Sequence, residues 1–171
     1  DKIRLGECEV AFMEGIRRDN EQIEKTINDP DKPTFDNTII NKDEDPDGYY
    51  DLLSRVSTVF FNLLSAETND EMDALAQKLQ PILTQHANDV RLNKRLFERI
   101  KAVHLHHRRL TPEEKRLLDD TYEGFARSGA LLSDEDKEKL RKLSEEASML
   151  SLQFSQNLLK EEKAYSLHIT D

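Results

Sequence analysis

Apolar residues recur along this chain at steps of three and four, the spacing that places side chains on one face of a helix. Tyr49, Leu52, Leu53, Val56, Val59, Phe60, Leu63 and Leu64 form the cleanest such stripe. Upstream, Val10, Met13, Ile16, Ile23 and Ile27 predict a helix from about Gly6 to Asn28, ended by Pro30 and Pro33. Thr34 is placed to cap a short turn over Phe35 to Ile39, and the polar stretch Lys42 to Gly48 reads as a loop. Thr68 and Glu71 have capping-box spacing and predict a helix carrying Met72, Leu75, Leu79, Ile82 and Leu83. Pro81 falls inside that pattern, and because the apolar spacing continues to Val90 it is expected to kink the helix rather than end it.

Asn93 is the expected cap of a helix with Leu96, Phe97, Ile100 and Val103 inward. Thr111-Pro112-Glu113-Glu114 combines a cap residue, a proline at the first helical position and acidic residues in the first turn. The helix it opens carries Leu117, Leu118, Tyr122 and Phe125 and stops at Gly129, which can take the left-handed conformation. Ser133 to Asp136 opens the longest helix, whose stripe is Leu140, Leu143, Ala147, Leu150, Phe154 and Leu158. Tyr165 to Ile169 then alternates apolar and polar, as an edge strand would, with no partner strand in the chain. The expected fold is an all-α, multi-helix bundle forming a single helical domain over residues 1–171, with a short orphan strand at the C-terminus.

Composition sharpens this picture in a few places. The 171 residues suffice for one domain with its own core, and five Gly and five Pro are few for an all-β fold. A net charge of −10 makes nucleic acid and membrane surfaces poor partners, and the basic run from Arg91 to Lys101 reads as a solvated helix face. Val59 to Leu64 is far too short an apolar run to span a bilayer. Cys8 is the only cysteine, which excludes an intrachain disulfide and favours the cytoplasm while leaving the periplasm open.

Chemistry-bearing motifs are scarce. In Val103-His104-Leu105-His106-His107 the position beside the first His that a zinc-peptidase helix gives to Glu holds Leu105, and Arg108 stands where the second His belongs. His104 and His107 are therefore read as cations near a helix end, with no nearby carboxylate to support them. His86 shares a face with Leu79, Ile82 and Val90 and is expected to be a packed histidine. Cys8 is read as a structural thiol, and Glu113, Glu114, Asp119 and Asp120 as helix-start and solvent-face charges. Phe61 points about 100° from the core stripe of Phe60 and enters either the core or an interface, the core being favoured. No catalytic, cofactor-binding or metal residue is assigned.

An ordered series of segments carries a family resemblance. Pro33-Thr34-Phe35-Asp36-Asn37-Thr38-Ile39 resembles the PTFENTI segment of the thimet oligopeptidase family, which includes oligopeptidase A, neurolysin and peptidyl-dipeptidase Dcp. Phe61-Asn62-Leu63 with Ala66 to Asp70, then Leu92-Asn93 with Leu96-Phe97, Arg116-Leu117-Leu118, Phe125 to Ala130 and Phe154-Ser155-Gln156-Asn157 continue it in order. The resemblance implies the N-terminal helical region of a zinc metallopeptidase that cleaves short peptides, forming one wall of a substrate channel. It places zinc, its HExxH ligands and the catalytic region outside these residues, so the domain alone is expected to be inactive. Its implied partners are that catalytic region of the same chain and short peptide substrates. The loop Lys42 to Gly48 departs from the family by being longer and more acidic. A self-contained helical interaction module is the competing reading.

Overall fold

In a computed structural model, which describes residues 5–40, 51–107 and 109–166, the chain is a bundle of six long helices. They are α1 (Leu5–Asn28), α2 (Leu52–Ala66), α3 (Asp70–Arg91), α4 (Lys94–His106), α5 (Pro112–Phe125) and α6 (Asp134–Ala164). Two short wide turns, Asp36–Ile40 and Ala126–Ala130, lie between them. Helix α1 packs on α2, α3 and α4, α4 packs on α5, and α6 packs on α3. No strand occurs among the described residues. The expected edge strand falls mostly outside them, and Tyr165 and Ser166, which are described, simply follow the end of α6. The loop Lys42 to Gly48 also lies outside the described residues.

The helix starts follow local hydrogen-bond chemistry. Thr111 Oγ accepts from the Glu114 amide at 3.2 Å while the Thr111 amide donates to Glu114 Oε2 at 2.9 Å, a complete capping box. Asn93 accepts from the Leu96 amide at 3.0 Å and Ser133 from the Asp136 amide at 3.1 Å, as expected. Thr34 and Asn37 exchange two such bonds over the first short turn. One cap differs from expectation. Asn69, not Thr68, opens α3 by accepting from the Met72 amide at 2.9 Å, and the Thr68 hydroxyl instead donates to Asp73 Oδ1 at 2.8 Å. The shift of one residue aims Asp73 inward. Helix α3 then runs unbroken through Pro81 to Arg91.

The main core joins α1, α2, α3 and α6 through Cys8, Phe12, Phe60, Leu64, Met72, Ala76, Leu79 and Leu152. Phe12 and Phe60 meet edge to face with centroids 5.5 Å apart, and Phe61, half-buried, packs on both. The core reading of Phe61 therefore holds. On α1 the stripe holds at its C-terminal end, where Ile27 is buried and Ile23 packs beside it, but in the N-terminal half the buried face is Cys8, Phe12 and Gly15, while Val10 and Met13 of the expected stripe are exposed. Gly15 makes the difference. A Cβ built there would lie 2.8 Å from Leu53 Cα, so only glycine permits this closeness of α1 and α2. Rotating the helix to bring its bulkier residues inward would lose that approach.

A second cluster holds Ile27, Leu96 and Ile100, and a third holds Phe35, Val103 and Leu118. Gly129 at φ 100° ends the turn after α5 with its backbone against Leu140, Leu132 and Leu92, so the run Phe125 to Ala130 is a tightly packed reversal. The basic run on α4 is not merely solvated. Arg95 donates to the Ile27 carbonyl at 3.1 Å and Arg99 to the Asp29 carbonyl at 2.9 Å, clamping the C-terminal end of α1 where its carbonyls lack helical partners.

Candidate functional site

The stripe Leu140, Leu143, Ala147, Leu150, Phe154 and Leu158 predicts the face that α6 turns toward the body. Only Leu140, half-buried beside Gly129, lies that way. The other five positions are exposed, and the buried residues are Lys137, Leu152 and Gln156. Polar partners on α3 explain the rotation. Gln156 Nε2 donates to the Asp73 carbonyl at 3.3 Å and to Asp73 Oδ1 at 3.2 Å, and Gln156 Oε1 accepts from Gln77 at 3.1 Å. Lys163 Nζ donates to the Thr68 carbonyl at 3.0 Å, and Lys137 Nζ to the Leu92 carbonyl at 3.3 Å. A buried Asp73 without these donors would be costly, so the inward face is fixed by hydrogen bonding. Sequence reasoning missed Asp73 and Gln156 as a pair; the only signal was Gln156 standing beside Phe154 in the quoted family segment.

Beside this bridge runs a groove of about 430 Å³ between α2, α3 and α6, lined by Phe61, Leu64, Asp73, Leu152, Gln156 and Leu158 among others. Three of its serines are held by backbone carbonyls rather than by a base. Ser65, Ser148 and Ser155 each donate their hydroxyl to a carbonyl of their own helix, at 3.0, 2.9 and 3.0 Å. A second groove of about 620 Å³, between α1 and α2, is more apolar and includes Cys8, Val59, Phe60, Leu63 and Met72. Burial, and after it the charge of Glu7, pushes the Cys8 thiol up from its ordinary range, which keeps it protonated and supports the structural reading.

The histidines have structural surroundings. His86 is buried with Nε2 at 2.6 Å from Asp19 Oδ2, tying α3 to α1. His104 Nε2 lies 3.2 Å from Asp119 Oδ1, and its ring stacks on Tyr122 with centroids 4.2 Å apart. The expectation that no carboxylate supports His104 is thus corrected. Asp119 is brought to it by the α4–α5 packing, across a separation in sequence that helical spacing does not report. His107 Nδ1 is 2.9 Å from the His104 carbonyl. Asp120 pairs with Arg116 at 2.8 Å on the solvent face. Among the described residues no three His, Cys, Asp or Glu side chains converge as a metal site would require.

The described surface offers grooves and apolar contact. Comparison with known proteins gives the kind of protein the chain comes from. The chain is 38% identical over 173 aligned positions to a dipeptidyl carboxypeptidase of Salmonella typhimurium and 35% identical to that of Escherichia coli strain K12, in each case along its whole length. It is 24% identical to a probable cytosolic oligopeptidase A of Arabidopsis thaliana over 94% of its length. No family model matches it. The chain is a relative of the dipeptidyl carboxypeptidases and oligopeptidase A, and it spans about a quarter of the length of these curated relatives, 25%, 25% and 22% respectively. None of its described helices is long and apolar enough to cross a membrane.

Proposed function

We propose that this chain is the non-catalytic N-terminal domain of a peptidyl-dipeptidase or oligopeptidase-type zinc metallopeptidase, forming one wall of the channel that admits short peptides. The observation that carries the reading is the end-to-end similarity to a quarter of each dipeptidyl carboxypeptidase, combined with a described surface of grooves and apolar contact. A helical wall supplies size selection. A folded protein would have to unfold to enter a narrow channel, at a cost of about 5–15 kcal/mol, whereas a short flexible peptide would not.

The described residues do not fit a resident zinc ion. His104 is engaged by Asp119 and Tyr122, and His107 is turned to a backbone carbonyl. Zinc and the group that activates water belong, in this reading, to the remainder of the parent chain, and no step of hydrolysis is assigned to residues here. Short peptides are the parent's substrates, and the cytoplasm is the favoured compartment.

The test uses this 171-residue chain and the longer polypeptide encoded in its reading frame. Release of C-terminal dipeptides from short peptides, with stoichiometric zinc by mass spectrometry, is expected of the longer form only. Chelator-sensitive peptide cleavage by the purified 171-residue chain would overturn the reading. A reading frame with no further region would favour the stand-alone interaction module instead.

A further inference from the structure

Helix α6 is apolar on two opposite faces. Toward the bundle it turns Leu152, buried, with Met149 and Leu159 half-buried. Away from it, Leu143, Leu150, Phe154 and Leu158 are 63%, 58%, 69% and 49% exposed. Their steps of seven, four and four place them in one ridge roughly 22 Å long at 1.5 Å per residue. A helix on the outside of a bundle puts its apolar stripe inward and its polar residues in water. Here Gln156 and Lys137 are inside and the leucines and phenylalanine outside, with the inward face fixed by the bonds to Asp73 and Leu92. That is the pattern of a middle-layer helix with a second surface to be packed upon. Leu158 also borders the groove beside Phe61 and Leu64, so ridge and groove are continuous.

We infer that the ridge formed by Leu143, Leu150, Phe154 and Leu158 is the seat of an apolar face from the remainder of the same polypeptide. The inference rests on the proposed function above. About three quarters of each relative's length lies outside the matched region, which supplies the chain needed to cover the ridge. A second copy fits less well. The ridge offers on the order of 500 Å², short of the roughly 800 Å² per partner that a stable free complex buries. Two copies would also each bring a net charge of −10. A tethered partner meets neither obstacle, because linkage raises its effective concentration to roughly the millimolar range.

Leu150→Cys and Phe154→Cys, made separately in the 171-residue chain and in the longer polypeptide, test this with maleimide labelling mapped by mass spectrometry. Both sites are solvent-facing, so the substitutions remove no core contact, and the buried Cys8 serves as a slow internal reference. Labelling is expected to be about tenfold or more slower in the longer form, since it then requires local opening. Hydrogen exchange over residues 143–158 of the unmodified proteins is expected to slow in the same comparison. Equal labelling and exchange in a longer form that cleaves peptides would overturn this inference and leave the proposed function standing. A longer form without peptidase activity would overturn the proposed function. Protection in the 171-residue chain that grows with its own concentration would replace the tethered partner by a second copy.

Discussion

Substituting Gly15 and Gly124 by alanine should move stability in opposite directions, because the two helical glycines differ only in what surrounds them. At Gly15 an added Cβ would sit 2.8 Å from Leu53 Cα, 2.9 Å from Leu53 N and 3.0 Å from Leu53 Cβ. Two of these are backbone atoms, so no rotamer change relieves the overlap and α1 must move away from α2. Overpacking of this kind costs about 1–3 kcal/mol. The better helix propensity of alanine returns up to about 1 kcal/mol. The balance is a loss of up to about 2 kcal/mol, and for a domain of this size up to about 8 °C in Tm. At Gly124, in α5, nothing lies within 4 Å of the added carbon, so only the propensity gain remains. That gain is about 0.5–1 kcal/mol. Thermal and urea unfolding followed by circular dichroism measure both variants against the parent. Gly15→Ala unfolding at or above the parent midpoint would refute the close approach of α1 and α2, and with it the account of why Val10 and Met13 face outward.

Two further outcomes test the electrostatics. Hydrogen bonds from Arg17 first, then from Arg18, hold the Glu14 carboxyl down at about 2 from its ordinary 4.5. A depressed carboxylate contributes stability that is present above pH 4.5 and lost as pH falls through about 2; NMR titration should find that low value in the parent and a rise toward 4.5 when Arg17 and Arg18 are both replaced by Gln. Asp19→Ala removes the partner of the buried His86 and should cost about 1–3 kcal/mol by urea denaturation, and an unchanged midpoint would show that the 2.6 Å contact contributes nothing to the α1–α3 packing.

The inward rotation of α6 also bears on how its Phe154 to Asn157 segment is understood. Phe154 and Gln156 are two residues apart and so face nearly opposite ways around a helix. Gln156 holds Asp73 within the domain, while Phe154 stands on the exposed ridge. A four-residue segment thus serves both an internal and an external surface. The Phe125 to Ala130 run is a reversal, with Gly129 at positive φ letting α5 fold back so that α6 can begin.

The helices themselves were legible from the sequence, because caps and terminators are local chemistry. Thr111 with Glu114, Asn93, Ser133, Pro30 and Gly129 act within a few residues of where they stand, and each does so in the structure. The inward face of α4 was legible too, since Leu96, Phe97, Ile100 and Val103 are its only continuous apolar stripe. Which way α1 and α6 turn was not legible. In the N-terminal half of α1 the close approach at Gly15 decided it, and on α6 the bond between Gln156 and Asp73 did, although on α6 a purely apolar count favours the other face. Asp119 beside His104 and Asp19 beside His86 belong to the same class. Hydrophobic periodicity reports how much apolar surface a helix carries, but distance of approach and hydrogen-bond partners exist only between helices. Local sequence therefore determined the elements, and tertiary packing decided which of their faces were left for another surface to cover.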